Sequence, residues 1–233
     1  MLKKHRSFTI SFILIAILDL VIEFLDIQEG RYLVKPLICI VLMGYLVNTT
    51  KLTGNFSKLI FGGLLFSLVG DIALIFAGNG GTFFMLGLGT FLIAHILYSL
   101  AFFRDYRYDP QASKKFGHFM LFTMAVFTSG MYFWMRPYLG EMKFPVMAYM
   151  IIISIMAILA GYRYGRVNLE SFRLILGGAV FFIISDTLLA VNKFVEPFLY
   201  SGVLIMATYM VAQYLITMGA VVRMVPSKER TYR

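Results

Sequence analysis

Apolar residues fall in long blocks separated by short polar stretches that carry most of the charge. The blocks lie near 8–25, 33–49, 58–77, 83–103, 116–134, 143–161, 171–191 and 198–222. Each is about long enough to cross a ~30 Å hydrocarbon core as an α-helix. The pattern predicts an all-α polytopic membrane protein with eight transmembrane helices. Connections of about 5 to 12 residues are too short for a second domain and fit antiparallel neighbours in a bundle. A single transmembrane domain over residues 1–233 is expected.

Composition points the same way. The 233 residues are 60% hydrophobic with a mean hydropathy of +0.81, whereas soluble domains run at about 45 to 50% apolar. The net charge of +9 raises nucleic acid as a partner, but its placement argues against that. With the N-terminus inside, 16 of the 21 Lys and Arg fall on inner segments, among them Lys3, Lys4, Arg163, Arg166, Arg223, Lys228, Arg230 and Arg233. Arg31, Lys35, Arg136, Lys143 and Lys193 remain outside. This follows the positive-inside rule, so the excess charge reads as topological, with both termini cytoplasmic in a multi-pass protein of the cell membrane. The N-terminus has a charged start and an apolar run but no cleavage site, and reads as an uncleaved first span. Cys39 stands alone, which excludes an intrachain disulfide and suits a small core residue.

Two carboxylates interrupt the pattern: Asp71 in FGGLLFSLVGDIALIF and Asp186 in LGGAVFFIISDTLLAV. An acid at that depth costs about 2.5 to 3.5 kcal/mol and persists facing protein or a wet cavity, so it marks a functional site by default. Aligned without gaps, the two segments match Gly62 with Gly177, Gly63 with Gly178, Phe66 with Phe181, Asp71 with Asp186 and Leu74 with Leu189. That suggests two fused four-helix repeats, about 8–103 and 116–222. Each aspartate span is followed by one carrying polar residues on a helical face, His95 and Tyr98 in the first half, Tyr209 and Gln213 in the second. The glycine pairs, with Gly87 and Gly89, allow close helix approach.

Converging carboxylates would divide into a proton donor and a base; the alternative is that each acid separately bonds a neighbouring helix. His95 reads as a proton shuttle, a partner orienting Asp71, or a satisfied interior histidine. A zinc site needs about three ligands. His5 lies in the basic tail and His118 near an inner helix start, so neither a metal nor a cofactor is expected. Ser67 and Ser185 lack a nucleophile elbow or an S-x-x-K pair and read as hydrogen-bond partners. Asp19, Glu23 and Asp26 share one face of the first span; a solvated helix end is the ordinary reading, with Asp19 lining a cavity the other. Lys35 and Lys193 at outer helix ends either snorkel or meet a lipid phosphate.

KPL at 35–37, FSLVGD at 66–71, FFMLGLGTFLIAHILY at 83–98, SDTLLAVNKF at 185–194 and TYMVAQYLI at 208–216 resemble, in order, the YhhN/TMEM86 family of lysoplasmalogenases over roughly residues 31–220. The resemblance implies an eight-span membrane hydrolase that cleaves the vinyl ether of a lysophospholipid, the lysoplasmalogen, releasing a fatty aldehyde and a glycerophospho-alcohol. By motif it points to Asp71 and Asp186, supported by Lys35, His95, Tyr98, Lys193, Tyr209 and Gln213. Vinyl ether hydrolysis asks for one acid and one base, without metal or covalent nucleophile. The competing readings are a proton-coupled transporter of a small or amphipathic solute and a non-catalytic lipid-binding protein. The prolines, including Pro36 and Pro226, sit at span ends or in loops, whereas transporters break helices near midplane. The oligomeric state stays open.

Overall fold

The computed structural model describes residues 5–79 and 81–225. Lys3, Lys4, Lys228, Arg230, Arg233 and Pro226, which entered the charge and proline readings, lie outside the described residues. Among these residues eight helices are long and apolar enough to cross a membrane: α1 (Arg6–Phe24), α2 (Gln28–Thr50), α3 (Gly54–Ile75), α4 (Gly81–Tyr108), α5 (Lys115–Met135), α6 (Lys143–Tyr162), α7 (Leu169–Ala190) and α8 (Ser201–Val221). In hydrocarbon a helix satisfies its backbone polar groups within its own segment, which is why apolar blocks of this length become helices. The chain is a multi-pass membrane protein.

The bundle has an apolar core like a soluble fold, but its outer surface is apolar too. Phe122 (71% exposed) and Phe133 (68% exposed) on α5 face outward, while Asp71, His95, Asp105, Arg163 and Gln213 are buried. α1 and α5 are peripheral, with 17% of the most apolar 18-residue stretch of each buried, and α8 is central at 56%. The most extensive packing is α3 on α4 and α7 on α8. Glycines set both seams: a Cβ on Gly63 would stand 2.2 Å from the Tyr98 ring, and one on Gly178 would stand 2.9 Å from the Ala212 carbonyl oxygen. Gly89 has open space beside it and makes no such contact, contrary to expectation.

Helix ends differ from the apolar blocks where polar side chains find partners. α2 begins at Gln28, because Arg31 in its first turn is bridged to Glu23 at 2.8 Å and to Asp26 at 2.9 Å. Pro36, expected at a span end, therefore lies inside α2. α7 continues into a π turn, Val191–Val195, that carries Lys193.

The bundle has two unlike ends. At one, called the mouth below, α1, α3, α5 and α7 finish. At the other, Asp105 of α4 is fully buried and accepts from Arg163 Nε at 2.8 Å and Arg223 Nε at 2.9 Å. Arg163 also donates to the Ser171 hydroxyl at 2.8 Å, which donates in turn to the Gly219 carbonyl at 2.6 Å. Its guanidinium lies over the Phe56 and Phe102 rings. Burial pulls the Arg163 guanidinium below its ordinary value, and Asp105 opposes that pull. Arg166, 1% exposed, donates to the carbonyls of Asp109, Ala112 and Tyr162. These three arginines thus tie the end of the bundle together as well as adding to its charge. His5, read as part of a basic tail, is buried and bonded to Tyr45 of α2.

Candidate active site

A cavity of about 760 Å³ opens at the mouth between α1, α2, α3, α4, α7 and α8. Asp71 and Asp186 both line it, as do Lys35, Lys193 and Tyr209. Five of the eight residues singled out from sequence therefore share one space. The other three, His95, Tyr98 and Gln213, lie behind its wall, each fully buried.

Asp71, on α3 and 2% exposed, is the end of a directed chain. Tyr98 O–H donates to Gln213 Oε1 at 2.8 Å, Gln213 Nε2 donates to the Tyr209 hydroxyl at 3.2 Å, and Tyr209 O–H donates to Asp71 Oδ2 at 2.6 Å. The Cys39 thiol lies 3.5 Å from the same oxygen and 3.3 Å from the Tyr209 hydroxyl. Gly63 makes the chain possible, because any side chain there would collide with the Tyr98 ring. Charged acceptors give the stronger hydrogen bonds, so every donor along this line serves the carboxylate.

Asp186, on α7, has a separate set of partners. Tyr149 of α6 donates its hydroxyl to Oδ2 at 2.5 Å, and His95 Nε2 stands 3.8 Å from the same oxygen. Neither ring nitrogen of His95 makes a hydrogen bond to protein. The imidazole is instead clamped edge-on between Phe182 and Tyr149, with centroids at 4.6 and 5.4 Å. Buried polar groups are normally paired, so His95 stands out as a buried imidazole beside a carboxyl with no protein partner for either nitrogen.

Each acid has a same-half neighbour, Cys39 for Asp71 and Tyr149 for Asp186, and a neighbour from the other half of the chain. Asp71 of the first half takes Tyr209 and Gln213 of the second, while His95 of the first half faces Asp186 of the second. Of the three sequence readings of His95, the one that made it a partner of Asp71 is not met, since it stands next to Asp186. The crossing follows from packing, since α4 lies against α6 as well as α3, and α8 lies against α2 and α3 as well as α7. Ser185 turns away from its neighbouring acid and donates to the Ile205 carbonyl at 3.0 Å.

Asp19 is not a solvated helix-end residue. It is 3% exposed, one of its carboxyl oxygens is unpartnered, and Lys35 lies within electrostatic reach of both it and Asp71. At the mouth, Lys193 Nζ lies 5.0 Å over the Phe84 ring, a cation–π arrangement. Tyr149 was missed from sequence, the available signal being one of the few hydroxyls, with Ser154 and Tyr162, in a mostly apolar helix. Cys39 offered no signal beyond its burial. Among the described residues no group of three or more His, Cys, Asp or Glu is placed to hold a metal ion.

A family model, the YhhN family, matches residues 30–220 of the chain. The protein belongs to the YhhN family. Similar proteins from within its reach are two human lysoplasmalogenases. TMEM86A of Homo sapiens is 38% identical over 166 residues, covering 70% of this chain and 65% of that protein. TMEM86B of Homo sapiens is 31% identical over 205 residues, covering 84% of this chain and 78% of that protein. TMEM86A of Bos taurus is 34% identical over 166 residues, with 70% of this chain and 65% of the relative covered. This YhhN chain thus spans 65% of the length of the TMEM86A relatives it matches. No solved structure matches it.

Proposed function

We propose that this YhhN-family protein is a lysoplasmalogenase-type hydrolase that cleaves the vinyl ether of a single-chain phospholipid, with Asp71 and Asp186 as the acid and the base. The observation that carries the reading is the placement of both intramembrane carboxyls on one cavity whose rim holds Lys35 and Lys193. The relatives' names supply the reaction class. One carboxyl protonates the alkene carbon distal to the ether oxygen, giving an oxocarbenium ion. The other takes a proton from the water that captures it. The resulting hemiacetal collapses to a fatty aldehyde and a glycerophospho-alcohol such as glycerophosphoethanolamine or glycerophosphocholine. Oxocarbenium chemistry run by two separated carboxyls has a precedent in glycoside hydrolysis, where the gap between them leaves room for water.

The residues around the pair divide the remaining work. Lys35 and Lys193 hold the phosphate near the mouth. Tyr209 and Tyr149 orient one carboxyl each, and the orphaned His95 relays protons to Asp186. The route needs no metal or cofactor. The positive residues gathered at the far end favour a cytoplasmic placement of both termini, which puts the mouth toward the outer side of a cell membrane. The matched glycine seams of α3/α4 and α7/α8 support a duplicated four-helix unit. Against transport of a solute stands the far end, where Asp105 and its arginines close the bundle.

The direct test is to incubate the purified protein in phospholipid vesicles with a lysoplasmenyl ethanolamine and assay aldehyde. Release that is lost in Asp186→Asn supports hydrolysis. No aldehyde from a folded protein, together with proton-driven uptake of a solute, supports the transporter reading.

A further inference from the structure

Asp186 borders two cavities of opposite character. Besides the wide polar one, a narrow slot of about 60 Å³ runs between α5, α6 and α7. Asp186 and Leu189 line both spaces, so the carboxyl stands in the partition. The slot is walled by apolar side chains such as Phe127, Met131, Met150 and Ile153. Of its other polar groups, the Thr128 and Ser154 hydroxyls bond each other at 2.6 Å and Tyr149 is bound to Asp186, which leaves the Thr187 hydroxyl. Such a lining offers a phosphate headgroup no cation. At about 60 Å³ against about 760 Å³ for the polar cavity, it has room for the first few carbons of one unbranched hydrocarbon chain. Methionine, with its flexible thioether, adapts to chains of differing length.

The geometry points to the slot as the subsite for the alkenyl chain of the substrate, with Asp186 at the junction where chain becomes vinyl ether and the glycerophosphate lies in the polar cavity. This rests on the hydrolase reading of the site. It deepens that reading by making Met131 and Met150 specificity-determining residues. A chain dissolved in a bilayer is already in an apolar medium, so the slot gains little from burial itself. It selects by shape, and an overfilled slot rejects the chain.

The test uses a saturated 1-O-alkyl lysophosphoethanolamine with a diazirine at mid-chain, which binds without needing turnover. The full chain sits in vesicles of two-chain phosphatidylcholine, whose excess acyl chains would fill a plain bilayer groove and suppress labelling. Illumination should label Phe127, Met131 or Met150, an excess of lysoplasmenyl ethanolamine should remove that label, and Met150→Trp should abolish it. In turnover, Met150→Trp should lower the kcat/KM ratio of an octadecenyl over a propenyl substrate by about tenfold or more, the scale of one clash in a packed slot. Label confined to the lipid-facing Phe122 and Phe133, or to Phe84 and Phe91 of the polar cavity, overturns the assignment. So does slot label that survives competition. If Met150→Trp does not fold, Met131→Trp blocks the slot from the α5 side, and the wild-type label pattern decides alone. Aldehyde release by the wild type is scored separately. Slot label without aldehyde retains a lipid subsite and rejects the hydrolase, whereas aldehyde without slot label does the reverse.

Discussion

Removing one hydroxyl next to Asp186 isolates what its partner contributes. Tyr149→Phe deletes the donor at 2.5 Å but keeps the ring that clamps His95. Tyr149 is 8% exposed, so water does not freely replace the lost bond. His95 Nε2 at 3.8 Å is beyond hydrogen-bond range and cannot substitute without moving. A hydrogen bond to a charged group contributes about 1.5 to 3 kcal/mol. If that bond holds the carboxyl in position as the proton moves, its loss lowers kcat/KM by about 10- to 150-fold. Aldehyde release from lysoplasmenyl ethanolamine in vesicles, coupled to NADH-dependent reduction of the aldehyde, reads the rate. A thermal transition near that of the wild type shows that packing survives. A folded Tyr149→Phe protein within twofold of wild-type kcat/KM would refute the role given to this bond.

Three further outcomes are expected. Asp71→Asn and Asp186→Asn should each lose at least about 10² in kcat, the low end for general acid–base catalysis, and the double variant should lose little more, because residues acting as a unit are non-additive; full multiplicative loss in the double variant would show that they act independently. In deuterated solvent the rate should fall and the aldehyde, trapped promptly, should carry deuterium at its α-carbon, since protonation of the alkene carbon is the first step; unlabelled aldehyde excludes that route. Asp105→Asn leaves Arg163 charged and fully buried without its counter-charge, at a cost of about 3 to 5 kcal/mol, so the midpoint of an SDS unfolding titration should drop sharply; an unchanged midpoint contradicts the lock at that end.

The spans were legible because membrane insertion is decided by runs of apolar residues, and those runs are local. Asp71 and Asp186 were legible for the complementary reason: a carboxyl inside such a run costs too much to be incidental. Their partners were not. Tyr149 lies 37 positions from Asp186 and Tyr209 lies 138 from Asp71; nothing near either tyrosine in sequence reveals which acid it will meet. The crossing of His95 to Asp186 depends on how α4 leans against α6, which no single helix encodes. Arg163, Arg166 and Arg223 misled for another reason. Charge counting places them correctly beyond the spans but is blind to whether a guanidinium faces lipid headgroups or folds inward onto Asp105, Ser171 and backbone carbonyls. The start of α2 at Gln28 was hidden likewise, since its first turn is polar and is held by Glu23 and Asp26 across the connection.

The Asp105 cluster also imposes an order on synthesis. Asp105 emerges at the end of α4, Arg163 only after α6, Ser171 at the start of α7, and Arg223 after α8 has been made. A nascent chain stopped before α8 holds Asp105 and Arg163 with neither the second arginine nor the Gly219 carbonyl that receives Ser171. The helix that completes this cluster is the one that carries Tyr209 and Gln213 to Asp71. Closing the lock and completing the site are therefore a single event: Asp105 gains its second arginine and Asp71 its tyrosine donor only when the last span packs.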